Sequence, residues 1–201
     1  MIINFIQKGI GLFVKHPLVV IALAVYLYSI WSFLIGENYF SSDFLQLHLV
    51  FEHAYRSLDN NLLSTSWLPV FQGGKSVFGA DANSFSPFGI DFIFTYAVTK
   101  ILFLDKLVGL LIIDTWRLAL LNIVFAVGCR QLAKELLETS RTADFVFLIT
   151  LFVGAYFLLH QPIYVTANVF TPWVLVYLTR VAVSESGRLL HNAAGLTLAT
   201  A

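Results

Sequence analysis

Asp43 is the residue whose type and setting point most directly to chemistry. It follows Ser41-Ser42 at a helix-start pattern: a serine cap, then an acidic side chain in the first turn, where free backbone N–H groups and the macrodipole favour negative charge. A carboxylate placed there can accept a proton from a hydroxyl or hold a divalent cation beside a phosphate-bearing substrate. The simpler alternative is an Asp that only stabilises a helix N-terminus. His48 and Glu52 follow at i,i+4 spacing, which needs further ligands before it holds a metal, so they read as a solvated pair. Gly73-Gly74 permits a tight turn and close backbone approach to a ligand. The following Lys75-Ser76 does not complete a nucleotide loop, because Pro69 stands where G-x-x-x-x-G-K-S requires its first glycine. Asp114 and Arg117, i,i+3 within an apolar run, can pair on one helix face as a structural ion pair or as the lining of a site; Asn168 and Thr171 add polar groups to a later run.

The elements that must position these residues are apolar helices. Phe44, Leu47, Phe51, Ala54, Tyr55 and Leu58 recur at three- and four-residue steps, the mark of an amphipathic helix. Its polar face is expected to carry Gln46, His48, Glu52 and Arg56, and its apolar stripe to face lipid or a helix bundle. Immediately before it, residues 17–36 hold no charge, enough helix at ~1.5 Å per residue to cross a bilayer core of ~30 Å. Hydrophobic residues make up 58% of the 201, charged ones 12%, and the mean hydropathy is +0.80, far from the roughly 25% charged content of soluble domains. The zero formal net charge offers no basic surface for nucleic acid. Cys129, the single cysteine, reads as a small packing residue.

These patterns predict an all-α polytopic membrane protein: a helical transmembrane bundle with a long external loop bearing amphipathic interfacial helices. Residues 1–201 form a single membrane domain with spans at about 17–36, 107–128, 145–160 and 163–183. Segment 88–104, which is short and contains Asp91 and Lys100, is interfacial, re-entrant or a fifth span. The run 17–36 is too long for a signal h-region and lacks a small-x-small site after it, so it reads as a retained anchor. The positive-inside rule favours four spans, which place seven Lys and Arg residues (8, 15, 130, 134, 141, 180 and 188) in the cytoplasm and four (56, 75, 100 and 106) outside. The N-terminus is then cytoplasmic and loop 37–87 external. Trp67, Phe71, Phe78, Phe85 and Phe88 suit an interfacial aromatic belt. The apolar segment from His191 to Ala201 is too short to span, so the sequence reads as the N-terminal piece of a longer chain.

The order of features resembles a known family. An anchor helix, an Asp on an external amphipathic helix, W-x-P-x-x-x-G-G from Trp67 to Gly74, and Ser86-Pro87-Phe88 before further spans are similar to the N-terminal portion of bacterial YfhO-like membrane proteins, which belong with the GT-C class of integral-membrane glycosyltransferases. Arg117-Leu118 in a span ending at Gly128-Cys129-Arg130-Gln131-Leu132, then His160 and Pro172-Trp173, are similar as well. The resemblance implies transfer of a sugar from a polyprenyl-phosphate donor to a cell-envelope acceptor on the outer face of the bacterial inner membrane. It implies Asp43 as catalytic base or acceptor-orienting group, with Trp67, Gly73, Gly74, Lys75, Arg117 and His160 contributing to substrate binding. No fixed cofactor is implied beyond the lipid-linked sugar, with a divalent metal ion open. Two other expectations stand beside it: a transporter or lipid flippase working through Asp114, Arg117 and Asn168, and a non-catalytic membrane scaffold.

Overall fold

The computed structural model of the chain describes residues 16–38, 42–60, 67–68, 75–76, 90–137, 139–160 and 168–183. Among these residues the fold is helical apart from one short strand pairing. Helices α1 (Pro17–Ser29), α2 (Trp31–Leu34) and α3 (Ser42–Asn60) come first, then strands β1 (Trp67–Leu68) and β2 (Lys75–Ser76). Helices α4 (Ile90–Ile101), α5 (Leu104–Leu107), α6 (Leu110–Leu137), α7 (Ser140–His160) and α8 (Thr171–Val183) complete the order. The strands run antiparallel, Trp67 opposite Ser76 and Leu68 opposite Lys75.

Among the described residues two helices, Leu110–Leu137 and Ser140–Phe157, are long and apolar enough to cross a membrane, while Pro17–Ser29 is apolar but shorter. At ~1.5 Å per residue the first of these is about 42 Å long, more than a hydrocarbon core requires. The uncharged run 17–36 is not one continuous helix. Pro17 opens α1 with its fixed φ, and at the other end Ser29 Oγ donates to Tyr26 O at 2.7 Å as the chain turns at Ile30 into α2. Gly36 then closes α2. Its φ is +81°, Gly36 N–H donates to Phe33 O and Glu37 N–H donates to Ser32 O at 2.9 Å, the bonding of a Schellman cap. Of the expected segment 163–183, α8 supplies Thr171–Val183, and 161–167 lie outside the described residues.

The chain divides into two compact units. One comprises Met1–Trp31, Ile123–Ala155 and Phe170–Thr200. Its buried positions include Ala126, Ala133, Ala143 and Ala155 beside Tyr26, Phe147 and Leu151, small residues that let helix backbones come close. At Gly128 a Cβ would fall 2.7 Å from Trp173 Nε1 and 3.1 Å from Pro172 Cβ, and that indole donates to Val124 O at 3.1 Å. Arg130 Nε donates to Asp144 Oδ1 at 2.7 Å, and His16 Nδ1 lies 3.2 Å from Asp144 Oδ2. The other unit comprises Ser32–Asn122, Tyr156–Val169 and Ala201. Its core packs Phe51, Ala54 and Tyr55 of α3 against Phe92 of α4 and Ile113 of α6, with Phe51 edge-on to Phe92 at 5.6 Å. The described part of the α3 apolar stripe therefore faces protein.

Candidate functional site

A buried ionic cluster lies in the second unit, built from three helices. Asp114 sits one turn into α6 with a side chain 0% exposed. A lone carboxylate cannot stay charged at such a site without partners, and α6 supplies the first: Arg117 Nε donates to Asp114 Oδ1 at 2.8 Å, the i,i+3 pair its spacing predicts. Arg117, itself 4% exposed, also donates through Nη1 to Asp91 Oδ2 at 2.5 Å. Asp91 occupies the first turn of α4, where the macrodipole favours a carboxylate. From α3, His48 Nδ1 lies 3.2 Å from Asp114 Oδ2. Phe51 completes the enclosure, its ring 5.1 Å from the Arg117 guanidinium carbon and stacked with the His48 imidazole. On the outer side His48 Nε2 lies 3.7 Å from Glu52 Oε2, and Glu52 accepts from Arg56 Nε at 2.7 Å.

The burial of His48 corrects the solvated polar-face expectation. His48 stands three residues before Phe51 and seven before Tyr55, so the 3.6-residue period places it on the stripe that faces the core. Its polar ring is tolerated there because Asp114 offers a partner. Glu52 and Arg56 do form a more open pair, at 30% and 67% side-chain exposure.

A second group forms where α3 meets α4 and α5. Tyr55 Oη donates to Asp105 Oδ2 at 3.2 Å, and Lys100 Nζ donates to the same oxygen at 2.7 Å while lying 4.8 Å from the Tyr55 ring centre. Burial, the largest influence, pushes the Tyr55 phenol up to about 12, with the Lys100 charge acting the other way. The hydrogen bond from Lys100 holds the Asp105 carboxyl below its ordinary value.

Of the residues singled out by sequence, Asp43 falls in the first turn of α3 and His160 is the last residue of α7. Trp67 and Lys75 are brought onto facing strands by the β1–β2 pairing, and Gly73 and Gly74 lie outside the described residues. Arg117 is engaged by Asp114 and Asp91. His48 and Asp91 had no site role in the sequence reading. A signal existed for each: a histidine in register with an apolar stripe, and an acid interrupting an apolar run. Among the described residues no group of three or more His, Cys, Asp or Glu side chains is arranged to hold a metal ion. Comparison with protein-family descriptions, curated proteins and solved structures finds no match.

Proposed function

We propose that this chain acts as a membrane glycosyltransferase of the GT-C type, moving a sugar from a polyprenyl-phosphate donor to a cell-envelope acceptor on the outer face of the bacterial inner membrane. The observation that carries the reading is the anchoring of α3. Asp43 lies in its first turn, and one turn later the same helix is tied to Asp114 by His48 and to the core by Phe51 and Tyr55. A catalytic base works only when held in position, and α3 provides a fixed support for its first turn. In the reaction the Asp43 carboxylate takes the proton of the acceptor hydroxyl as its oxygen bonds to the anomeric carbon. The bond from that carbon to the donor phosphate oxygen breaks, and polyprenyl phosphate leaves with the electron pair. In this reading α6 and α7 cross the bilayer, the N-terminus is cytoplasmic and loop 37–87 is external.

The test uses the protein in membranes, following label from a polyprenyl-phosphate-linked sugar into envelope material. Asp43→Asn is expected to cut transfer by about 10²–10⁴-fold at matched insertion, the usual contribution of a general base. Transfer at the wild-type rate would reject Asp43 as the base.

One observation favours a second reading, a transporter or lipid flippase. Asp114 and Arg117 are buried within a helix apolar enough to span, and ionisable groups at membrane depth commonly mark a substrate or ion path. Uptake that requires Asp114 and ignores Asp43→Asn would replace the transferase reading.

A further inference from the structure

Both ring nitrogens of His48 face carboxylates, Nδ1 toward Asp114 at 3.2 Å and Nε2 toward Glu52 at 3.7 Å. A neutral imidazole carries one N–H, so in either tautomer one nitrogen presents a lone pair to a negative oxygen. The imidazolium carries an N–H on both, donating to Asp114 and pairing by charge with Glu52. The charges around the ring lead to the same species. On its own helix His48 faces Glu52, which pairs with Arg56; from α6 it faces Asp114, which pairs with Arg117; from α4, Asp91 completes the Arg117 pairing. Among the described residues, three carboxylates thus meet two guanidinium groups. Within these pairs a neutral His48 leaves one more carboxylate than guanidinium, and an imidazolium supplies a third cation. An unmatched charge beside a carboxylate as buried as Asp114 is costly.

We infer that this cluster is a proton-binding site: His48 takes the proton, with Asp114 and Glu52 as the two groups that hold it. Glu52 is the solvent side of the site, its side chain 30% exposed against 0% for Asp114. Proton uptake ties α3 to α6 through an imidazolium–carboxylate hydrogen bond to Asp114, and release leaves a neutral imidazole against that carboxylate. The docking of α3, the helix that bears Asp43, therefore tightens as the proton binds. The inference goes beyond the transferase reading and does not depend on it.

The experiment is a titration of the protein in lipid nanodiscs between about pH 5 and pH 8, the range in which histidine changes charge. Nitrogen-15 histidine spectra, with His48 assigned through backbone connectivity, report its protonation, and hydrogen exchange corrected for intrinsic rates reports protection of residues 48–58. The expected result is a doubly protonated His48 ring at the acidic end that loses one proton as pH rises, with protection of α3 falling several-fold over the same interval. His48→Gln, which keeps a donor for Asp114 but cannot titrate, is expected to abolish the pH dependence of protection, and Glu52→Gln to move the midpoint to lower pH. A His48 ring that holds one protonation state across the range overturns the proposal, as does pH-dependent protection that survives unchanged in His48→Gln. Should His48→Gln fail to fold, the wild-type spectrum decides.

Discussion

Asp114 touches a guanidinium on its own helix and an imidazole from another, and the consequences of removing it differ from those of removing the pair. Asp114→Ala leaves Arg117 and His48 facing a void, and a buried ion that loses its partner typically costs about 3–5 kcal/mol. Thermal unfolding in detergent should show that loss. Asp114→Leu combined with Arg117→Met removes both charges and leaves Asp91, at 21% side-chain exposure, to solvent; it is expected to cost less than Asp114→Ala, and a double variant that is the less stable of the two would contradict a purely structural accounting of the pair. At the second group, the Tyr55 phenol has a folded value raised to about 12. The folded state holds that proton more tightly than the unfolded chain, so the contribution is whole below the unfolded value of about 10 and is lost as pH rises through about 12. An ultraviolet phenolate titration should show one tyrosine ionising last, and Tyr55→Phe should delete that step. Asp105 works in the opposite sense: its lowered value supplies stability present above the unfolded carboxylate range and lost as pH falls through the folded value.

At the scale of elements, two glycines decide how helices end and meet. Gly36 holds φ +81° in the cap of α2, and a Cβ there would lie 3.1 Å from Ile112 Cγ1 of α6. Gly36→Ala should destabilise by about 1–2 kcal/mol for the left-handed backbone alone, with crowding added. Ile112→Ala in the same chain should relieve only the crowding, which chemical denaturation can resolve. Gly128 is a different case, in that its backbone angle is not the issue. A Cβ would strike the Trp173 indole that bonds Val124 O, so Gly128→Ala should displace Trp173 at a cost of about 1–3 kcal/mol and shift its fluorescence. That contact joins Gly128 to Pro172-Trp173, two short motifs far apart in sequence that the structure places together.

For the whole molecule, the membrane reading rests on α6 and α7 and on exposed apolar rows such as Phe145, Ile149, Val153 and Tyr156, spaced along one face of α7. The proposed four-span topology would put α3 outside and the α6 to α7 turn inside. With Cys129 replaced by Ala, a cysteine at exposed Arg56 should react with a membrane-impermeant maleimide in intact cells, and one at exposed Ser140 only after permeabilisation. The reverse pattern would invert the topology. The helices and the Asp114–Arg117 pair were legible in sequence because each depends on local periodicity: apolar length, a three-residue spacing, a serine and an acid at a helix start. The break of the uncharged run at Ile30, the pairing of His48 with Asp114 and the reach of Arg117 to Asp91 were not. They depend on which helices become neighbours, and hydrophobic burial, being non-directional, selects those neighbours only when the chain packs. Sequence alone determined where apolar helices form and which charges lie among them; the tertiary structure alone decided which charges pair, because electrostatic partners in a poorly solvated interior are settled by distances of a few ångströms.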